Sequence, residues 1–244
     1  MLLAIDIGNT NLKAAIFKGN KLIKQFSLPI KAYTKNIFLK FVHKYALSDV
    51  AICSVVPKLT ATLKLDLKTL ATKTPCIIGK DLIVPIKNCY QNPKQLGQDR
   101  LLNAFATTKI YSGPAIVIDS GSTITFDIIS KKNAYLGGLV FPGLDALLKN
   151  LNDETAQLPL IKLGKPSSLI GTSTKDCILS GVVFGTALLV KELVSKLRQR
   201  LGKNTMIIGT GGNISLLKKY SGIKIKMNKN LTLKGINFAY AHKN

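Results

Sequence analysis

The stretches Ile5-Asp6-Ile7-Gly8-Asn9-Thr10 and Ile118-Asp119-Ser120-Gly121-Ser122-Thr123 spell one phrase, I-D-x-G-x-T, 113 positions apart. Each follows an apolar run (Leu2 to Ile5, Ala115 to Ile118) and leads into another (Leu12 to Phe17, Ile124 to Ile129). The pattern predicts strand, tight turn, strand, with a carboxylate at the turn. Such a carboxylate can hold hydrated Mg2+, which takes one or two carboxylates and fills its shell with phosphate oxygens and water. Glycine lets a ligand approach the backbone closely. Asn9, Thr10 and Ser122 offer donors, and Lys13 adds charge. Two such turns facing each other across a cleft would hold a nucleotide phosphate tail and its metal. A ligand-free Asp/Gly/Asn hairpin explains one copy equally well; recurrence with the same spacing favours the nucleotide.

The second copy runs on as Thr123-Ile124-Thr125-Phe126-Asp127-Ile128. Alternation puts Thr123, Thr125 and Asp127 on one face of a strand and the apolar residues on the other. A solvated strand face accounts for the threonines but less well for aspartate, which strands disfavour. Gly97-Gln98-Asp99-Arg100 is a third candidate. Asp99 stands where a helix begins, so it is either a cap or a general base that takes the proton of an attacking hydroxyl. Arg100 is informative because this chain otherwise prefers lysine. A guanidinium grips a carboxylate through two parallel hydrogen bonds, which an ammonium cannot do. The pair suits an alcohol that carries a carboxylate. Gly209-Thr210-Gly211-Gly212-Asn213, between a strand and a helix, could present backbone N–H groups to an anion or a nucleotide edge. Gly137-Gly138-Leu139-Val140-Phe141-Pro142-Gly143 reads either as a tight turn or as close packing at a subunit contact.

Positioning these residues takes two similar sets of elements. The first half reads as strands Leu2–Ile7, Leu12–Lys18 and Lys21–Ser27, with a Gly19-Asn20 hairpin turn. A helix over Asn36–Ala46, a strand over Val50–Val55 and a helix over Leu59–Thr72 follow. Short strands are expected at Cys76–Ile78 and Ile83–Ile86, a loop at Tyr90–Gly97, and a helix from Asp99 to Tyr111. Ser112-Gly113-Pro114 breaks the chain there, giving domains 1–113 and 114–244. The second half restarts with strands Ala115–Asp119, Thr123–Ser130 and Ala134–Val140. A helix to Leu151, a loop over Pro159–Gly171, a long helix Thr174–Leu201 closed by Gly202, and a strand Thr205–Ile208 complete it. The shared opening order is that of duplicated α/β domains.

Composition narrows the classes. The net charge is +23, from 35 basic and 12 acidic residues. Only Arg100, Arg198 and Arg200 are arginine, leaving 32 lysines spread along the chain without a long block. That pattern favours a solvated lysine surface over a nucleic-acid interface, which would draw on arginine. A general attraction for anions, nucleotides included, remains. No uninterrupted apolar run reaches the roughly 18–20 residues of a membrane span, and no basic-then-apolar leader opens the chain. Four cysteines without a C-x-x-C pair, and only two histidines, argue against a zinc site or a disulfide framework. Together these predict a cytoplasmic protein that uses neither membrane nor nucleic acid.

Taken in order, the motifs resemble the type III pantothenate kinases of the actin/hexokinase/Hsp70 superfamily. The likeness rests on D-x-G-N-T at Asp6–Thr10, G-x-D-R at Gly97–Arg100 and D-x-G-S with a following T-x-D at Asp119–Asp127. It extends to G-G-x-x-x-P-G at Gly137–Gly143 and T-x-x-x-x-x-S-G at Thr174–Gly181, and so covers nearly the whole chain. Where the family usually reads D-x-G-T-A, this chain has Ser122, Thr123 and Ile124, keeping the hydroxyl. The resemblance implies two ribonuclease-H-like domains with a nucleotide cleft between them. It implies phosphorylation of pantothenate by ATP with Mg2+, the first step of coenzyme A synthesis, in a homodimer. It further implies ATP contacts from Asp6, Ile7, Gly8, Asn9, Thr10, Asn11, Leu12, Lys13 and Ser122. Pantothenate contacts would come from Tyr90, Gly97, Gln98, Asp99, Arg100 and Thr174, with Asp99 as proton acceptor. Asp119 would bind a monovalent cation, K+ or NH4+. Two alternatives stand beside this reading: a kinase for another small hydroxylated substrate, and a non-catalytic regulator that binds nucleic acid or a partner on the same fold.

Overall fold

Short apolar runs, buried on both faces in the central strands, build two five-stranded sheets with one topology. The computed structural model describes residues 1–68 and 73–243. The first sheet has the order β3-β2-β1-β4-β5 and the second β8-β7-β6-β9-β10. These strands are β1 Leu2–Ile7, β2 Asn11–Lys18, β3 Lys21–Pro29, β4 Asp49–Ser54 and β5 Cys76–Ile77, then β6 Ala115–Ser120, β7 Thr123–Ile129, β8 Tyr135–Pro142, β9 Met206–Thr210 and β10 Lys226–Met227. In each sheet the first three strands form an antiparallel meander, and the last two join the first in parallel. This is the duplicated α/β arrangement expected from the doubled motif.

In the first unit, α1 (Lys35–Val42) and α2 (Pro57–Leu67) cover one face of the sheet. Phe38, Val42, Leu63 and Leu67 pack on Leu3, Ile5, Ile7, Leu12, Ile16 and Ile52. Full burial of each such side chain is worth about 1.5–3 kcal/mol. α3 (Gln98–Ile110) and α7 (Leu231–Lys243) pack on each other and against the strands β1, β2 and β4. They take the opposite face, where Ala4 and Ala51 leave room for them. In the second unit, α4 (Leu144–Asp153), α5 (Thr174–Leu201) and α6 (Ile214–Ser221) share a core with Ile116, Ile118, Ile124 and Phe126.

Several expectations shift. The helix expected at Asn36–Ala46 ends at Val42, and the one expected at Leu59–Thr72 starts at Pro57, a residue suited to a first helical turn. That second helix is described to Leu67, while residues 69–72 lie outside the described residues. Among the described residues no strand forms at Ile83–Ile86; Ile78 and Leu82 form an isolated bridge just before it. The chain divides as Met1–Ser112 with Asn230–Asn244, and Gly113–Lys229. The first unit leaves off at Ser112, and residues 230–244, which the domain expected at 114–244 would include, group with it. In α7 the Tyr240 hydroxyl donates to Asp49 at 2.7 Å, and the Thr232 hydroxyl donates to Asn103 at 2.8 Å.

α5 is, among the described residues, the one helix long and apolar enough to cross a membrane, with a mean hydropathy of 1.9 over its best window. Ile178, Leu179, Val182, Ala187, Val190 and Val194 place that hydropathy in the second core.

Candidate active site

The first turn stands at the C-terminal end of β1, where Asp6 is flanked on both sides. Lys13 of β2 is its antiparallel partner and Cys53 of β4 its parallel partner. Ile5 and Ile7 face the apolar cluster, so Asp6, and with it Lys13 and Cys53, point to the face that carries α3 and α7. The turn closes through Gly8 N–H donating to Asn11 carbonyl at 3.0 Å, and leaves Asn9 and Thr10 exposed at its tip. Exposed donors at the tip, with a half-buried carboxylate and amine at its base, can wrap a phosphate from two sides.

Asp99 is carried by α3, which packs on this face of the sheet. Gly97 is the cap of α3, and Asp99 lies in the helix's first turn, where a carboxylate is favoured by the helix dipole. A Cβ at position 97 would lie 2.5 Å from Asp99 Oδ1, so the carboxylate folds back over the glycine. That close approach is the local reason for glycine in this motif. Burial, then the charges of Asp6 and Asp99, push the Cys53 thiol well above its usual range. Two carboxylates far apart in sequence thus both bear electrostatically on one buried thiol. Gln98 and Arg100 are half-buried beside Asp99, and Tyr90, also half-buried, donates its N–H to Asn88 Oδ1 at 2.9 Å.

The second turn is built differently. Asp119 of β6 has Thr125 as its antiparallel partner and Thr210 as its parallel partner, both hydroxyls. Gly211, at φ 92°, passes so close that a Cβ there would lie 2.5 Å from Asp119 Oδ1 and 2.4 Å from the Ser120 carbonyl. Asn213 donates its N–H to that carbonyl at 2.9 Å, and its side-chain amide donates to Asp145 at 3.1 Å. Gly143 donates its N–H to the Ser122 carbonyl at 3.2 Å. Both glycine clusters that the sequence left ambiguous therefore brace this turn. Thr125 Oγ1 is buried with no hydrogen-bond partner. Asp127, buried two positions on, accepts from the Tyr135 hydroxyl at 3.0 Å. Thr174 opens α5, with Ser173 capping the helix through a bond from Asp176 N–H at 3.2 Å.

The first unit thus holds Asp6 to Lys13, Tyr90 and Gly97 to Arg100, and the second holds Asp119, Ser122 and Thr174. Sequence reading missed Cys53 and Asp145, and although it named Thr210 in a glycine cluster it did not place that residue beside Asp119. Their signal lies in parallel strand register and loop docking, which no local pattern carries. Among the described residues no three His, Cys, Asp or Glu side chains gather into a metal cage. Mg2+ needs none, because one strand-end carboxylate beside phosphate oxygens suffices. Asp119 and the orphaned Thr125 hydroxyl are hard oxygens of the kind that could hold a cation.

Known proteins resemble this chain in sequence and in fold. The sequence profile described as type III pantothenate kinase matches residues 2–196. The type III pantothenate kinase of Dehalococcoides mccartyi is 34% identical, over 98% of this chain and 96% of its own length. That of Sulfurihydrogenibium is 36% identical, over 98% of both chains. Among solved structures, a conserved Campylobacter jejuni protein assigned to the Baf family of transcriptional activators superposes with a TM-score of 0.64. It is 24% identical and covers 99% of this chain and 98% of its own. Component A of (R)-2-hydroxyglutaryl-CoA dehydratase from Acidaminococcus fermentans superposes with a TM-score of 0.54 at 15% identity, over 99% and 96%. These two likenesses speak to the fold alone, which is actin-like. With its profile, its near-full-length relatives and its two strand-end aspartate turns, the chain belongs to the type III pantothenate kinase family.

Proposed function

We propose that this protein transfers the γ-phosphoryl group of ATP to the primary hydroxyl of pantothenate, giving 4'-phosphopantothenate and opening coenzyme A synthesis. The observation that carries the reading is that α3, with Asp99 in its first turn, packs on β4, the parallel neighbour of the strand that ends in Asp6. An acceptor-side carboxylate is thus carried on the face of the sheet to which the phosphate-side one points. Catalysis of this kind is mostly positioning and charge stabilisation. Asp6 to Lys13 and Ser122 hold the triphosphate, with Lys13 adding positive charge at the turn. Mg2+ supplies neutralisation of the phosphate oxygens when bound, and Asp6 is placed to hold it. Asp99 orients the pantothenate hydroxyl and takes its proton as the oxygen attacks phosphorus. Arg100 grips the substrate carboxylate, and Tyr90, Gly97, Gln98 and Thr174 are further residues that contact pantothenate in this reading.

Asp119 and Thr125 hold a monovalent cation, K+ or NH4+, and the buried Thr125 hydroxyl without a partner supports this. The working species is a homodimer. Exposed Leu188 and Leu189 on α5, with Leu169 and Ile170 just before it, supply an apolar face for a second copy. The enzyme works in the cytoplasm, in keeping with four unpaired cysteines.

The test is an ATP-dependent assay with pantothenate and with the analogue whose carboxylate is reduced to an alcohol. The wild type phosphorylates the acid with a KM about tenfold lower or better, because a charged hydrogen bond is at stake. Arg100→Lys raises the pantothenate KM by about tenfold and leaves the ATP KM within about twofold. Equal turnover of acid and alcohol by the wild type would point to another hydroxylated substrate. Tight, salt-sensitive DNA binding without phosphorylation would favour the regulator.

A further inference from the structure

The turn Ser120-Gly121-Ser122 is held between two loops from distant parts of the chain. One is Gly143, at the start of α4, whose N–H donates to the Ser122 carbonyl at 3.2 Å. The other is Gly211 to Asn213, at the start of α6, where the Asn213 N–H donates to the Ser120 carbonyl at 2.9 Å. The Asn213 side-chain amide then crosses to Asp145 Oδ2, 68 residues away in the first turn of α4, at 3.1 Å. We propose that Asp145 and Asn213 are a pair of positioning residues, whose hydrogen bond locks the two loops together and so fixes Ser122 where it meets the ATP phosphates. This rests on the reading of Ser122 as an ATP contact.

Three features support it. First, Asn213 stands at the cap of α6, where an asparagine side chain ordinarily accepts from the N–H groups of its own helix. Here it makes no such bond and donates to Asp145 instead. A residue suited to starting α6 is used to join it to α4. Second, both loops press on the turn as closely as glycine allows. A Cβ at Gly143 would lie 2.5 Å from the Ser122 carbonyl and 2.6 Å from that of Gly121, and one at Gly211 would lie 2.4 Å from that of Ser120. Three successive carbonyls are thus covered, so a shift of either loop moves the turn. Third, Leu144 and Ile214 beside the pair are fully buried and anchor the two helices, whereas Asp145 is exposed and Asn213 half-buried. The pair links the loops without filling the core. A link of this kind acts on alignment, where a displacement on the order of 1 Å is costly.

The experiment measures MgATP affinity by calorimetry without pantothenate, together with the KM for each substrate and the thermal midpoint. It compares full-length Asp145→Ala, Asn213→Ala, the double variant and Asp145→Asn with wild type. Each alanine change weakens MgATP binding and raises the ATP KM by about three- to tenfold. The double variant is no weaker than the weaker single one, because either change already breaks the bond. Asp145→Asn, whose amide oxygen still accepts from Asn213, stays within about twofold of wild type. The pantothenate KM stays within about twofold throughout. A role in helix stability alone would lower the thermal midpoint and leave MgATP affinity unchanged, and that result overturns the proposal. So do losses that multiply in the double variant, and an Asp145→Asn variant as weak as Asp145→Ala. Ser122→Ala, run alongside, separates the two claims. Wild-type MgATP affinity there sinks the reading of Ser122 as an ATP contact, whereas a weakened Ser122→Ala with an insensitive Asp145 and Asn213 series sinks only the link between the loops.

Discussion

The two I-D-x-G-x-T turns are copies in sequence and unequal in chemistry. Four residues separate the last paired positions of the first turn, Ile7 and Leu12, but three separate those of the second, Ser120 and Ile124. That single-residue difference puts Lys13 opposite Asp6, and Thr125 opposite Asp119. The first aspartate therefore comes with its own cation and a buried thiol. The second comes with two hydroxyls and a tight brace of glycine backbone. A duplicated scaffold has been divided into a turn whose aspartate is flanked by a lysine and a turn whose aspartate is flanked by hydroxyls.

The largest effect should separate the two aspartates directly. Asp6→Asn is expected to lower kcat by about 1000-fold, the scale of losing an electrostatic contact made to the transferring group. Asp119→Asn should cost about 10- to 100-fold and weaken the response to K+. Steady-state kinetics across a K+ series checks both, and equal losses with equal K+ response would erase the distinction.

A smaller effect tests where each turn gets its charge. Lys13→Met should raise the ATP KM by about tenfold at any K+ concentration. Thr125→Val should raise the K+ concentration needed for half-activity by several-fold, on the order of one lost hydrogen-bonding ligand, with the ATP KM within about twofold. A Lys13→Met defect that K+ repaired would merge the two roles.

The smallest effect is structural. Gly211→Ala meets both a left-handed backbone and a clash with Asp119 and Ser120, and should destabilise the protein by about 2–3 kcal/mol. At Gly8 a Cβ would make only an ordinary 3.6 Å contact with the Asn11 carbonyl, so Gly8→Ala should cost under about 1 kcal/mol. Thermal midpoints rank the two, and a Gly8 variant less stable than the Gly211 variant would contradict the idea that only the second turn is braced.

How much of this was legible in the sequence depends on how local its cause is. The meanders around Asp6 and Asp119 follow from alternation and turn residues within a few positions, and appear where expected. So does α5, whose start at Ser173-Thr174 and stop at Gly202 are written in capping chemistry. α7 went unread because Leu231–Lys243 is apolar on most sides, as a helix packed between α3 and a sheet must be, and carries little periodicity. Its return to the first unit is a tertiary fact. The strand expected at Ile83–Ile86 fails because no neighbouring strand offers a ladder there beyond the Ile78–Leu82 bridge. At the site, Asp6, Asp99 and Asp119 could be read from glycine and hydroxyl neighbours. Cys53 could not, because it sits in the ordinary apolar run of β4, and only parallel register brings it beside Asp6.

The most direct measurement of the central claim is phosphopantothenate formation from ATP and pantothenate by wild type and Asp99→Asn, each with and without K+. The account predicts wild-type turnover that rises with K+. It predicts a loss of about 1000-fold or more in Asp99→Asn that K+ does not restore, with pantothenate still bound. Wild-type turnover in Asp99→Asn would contradict it.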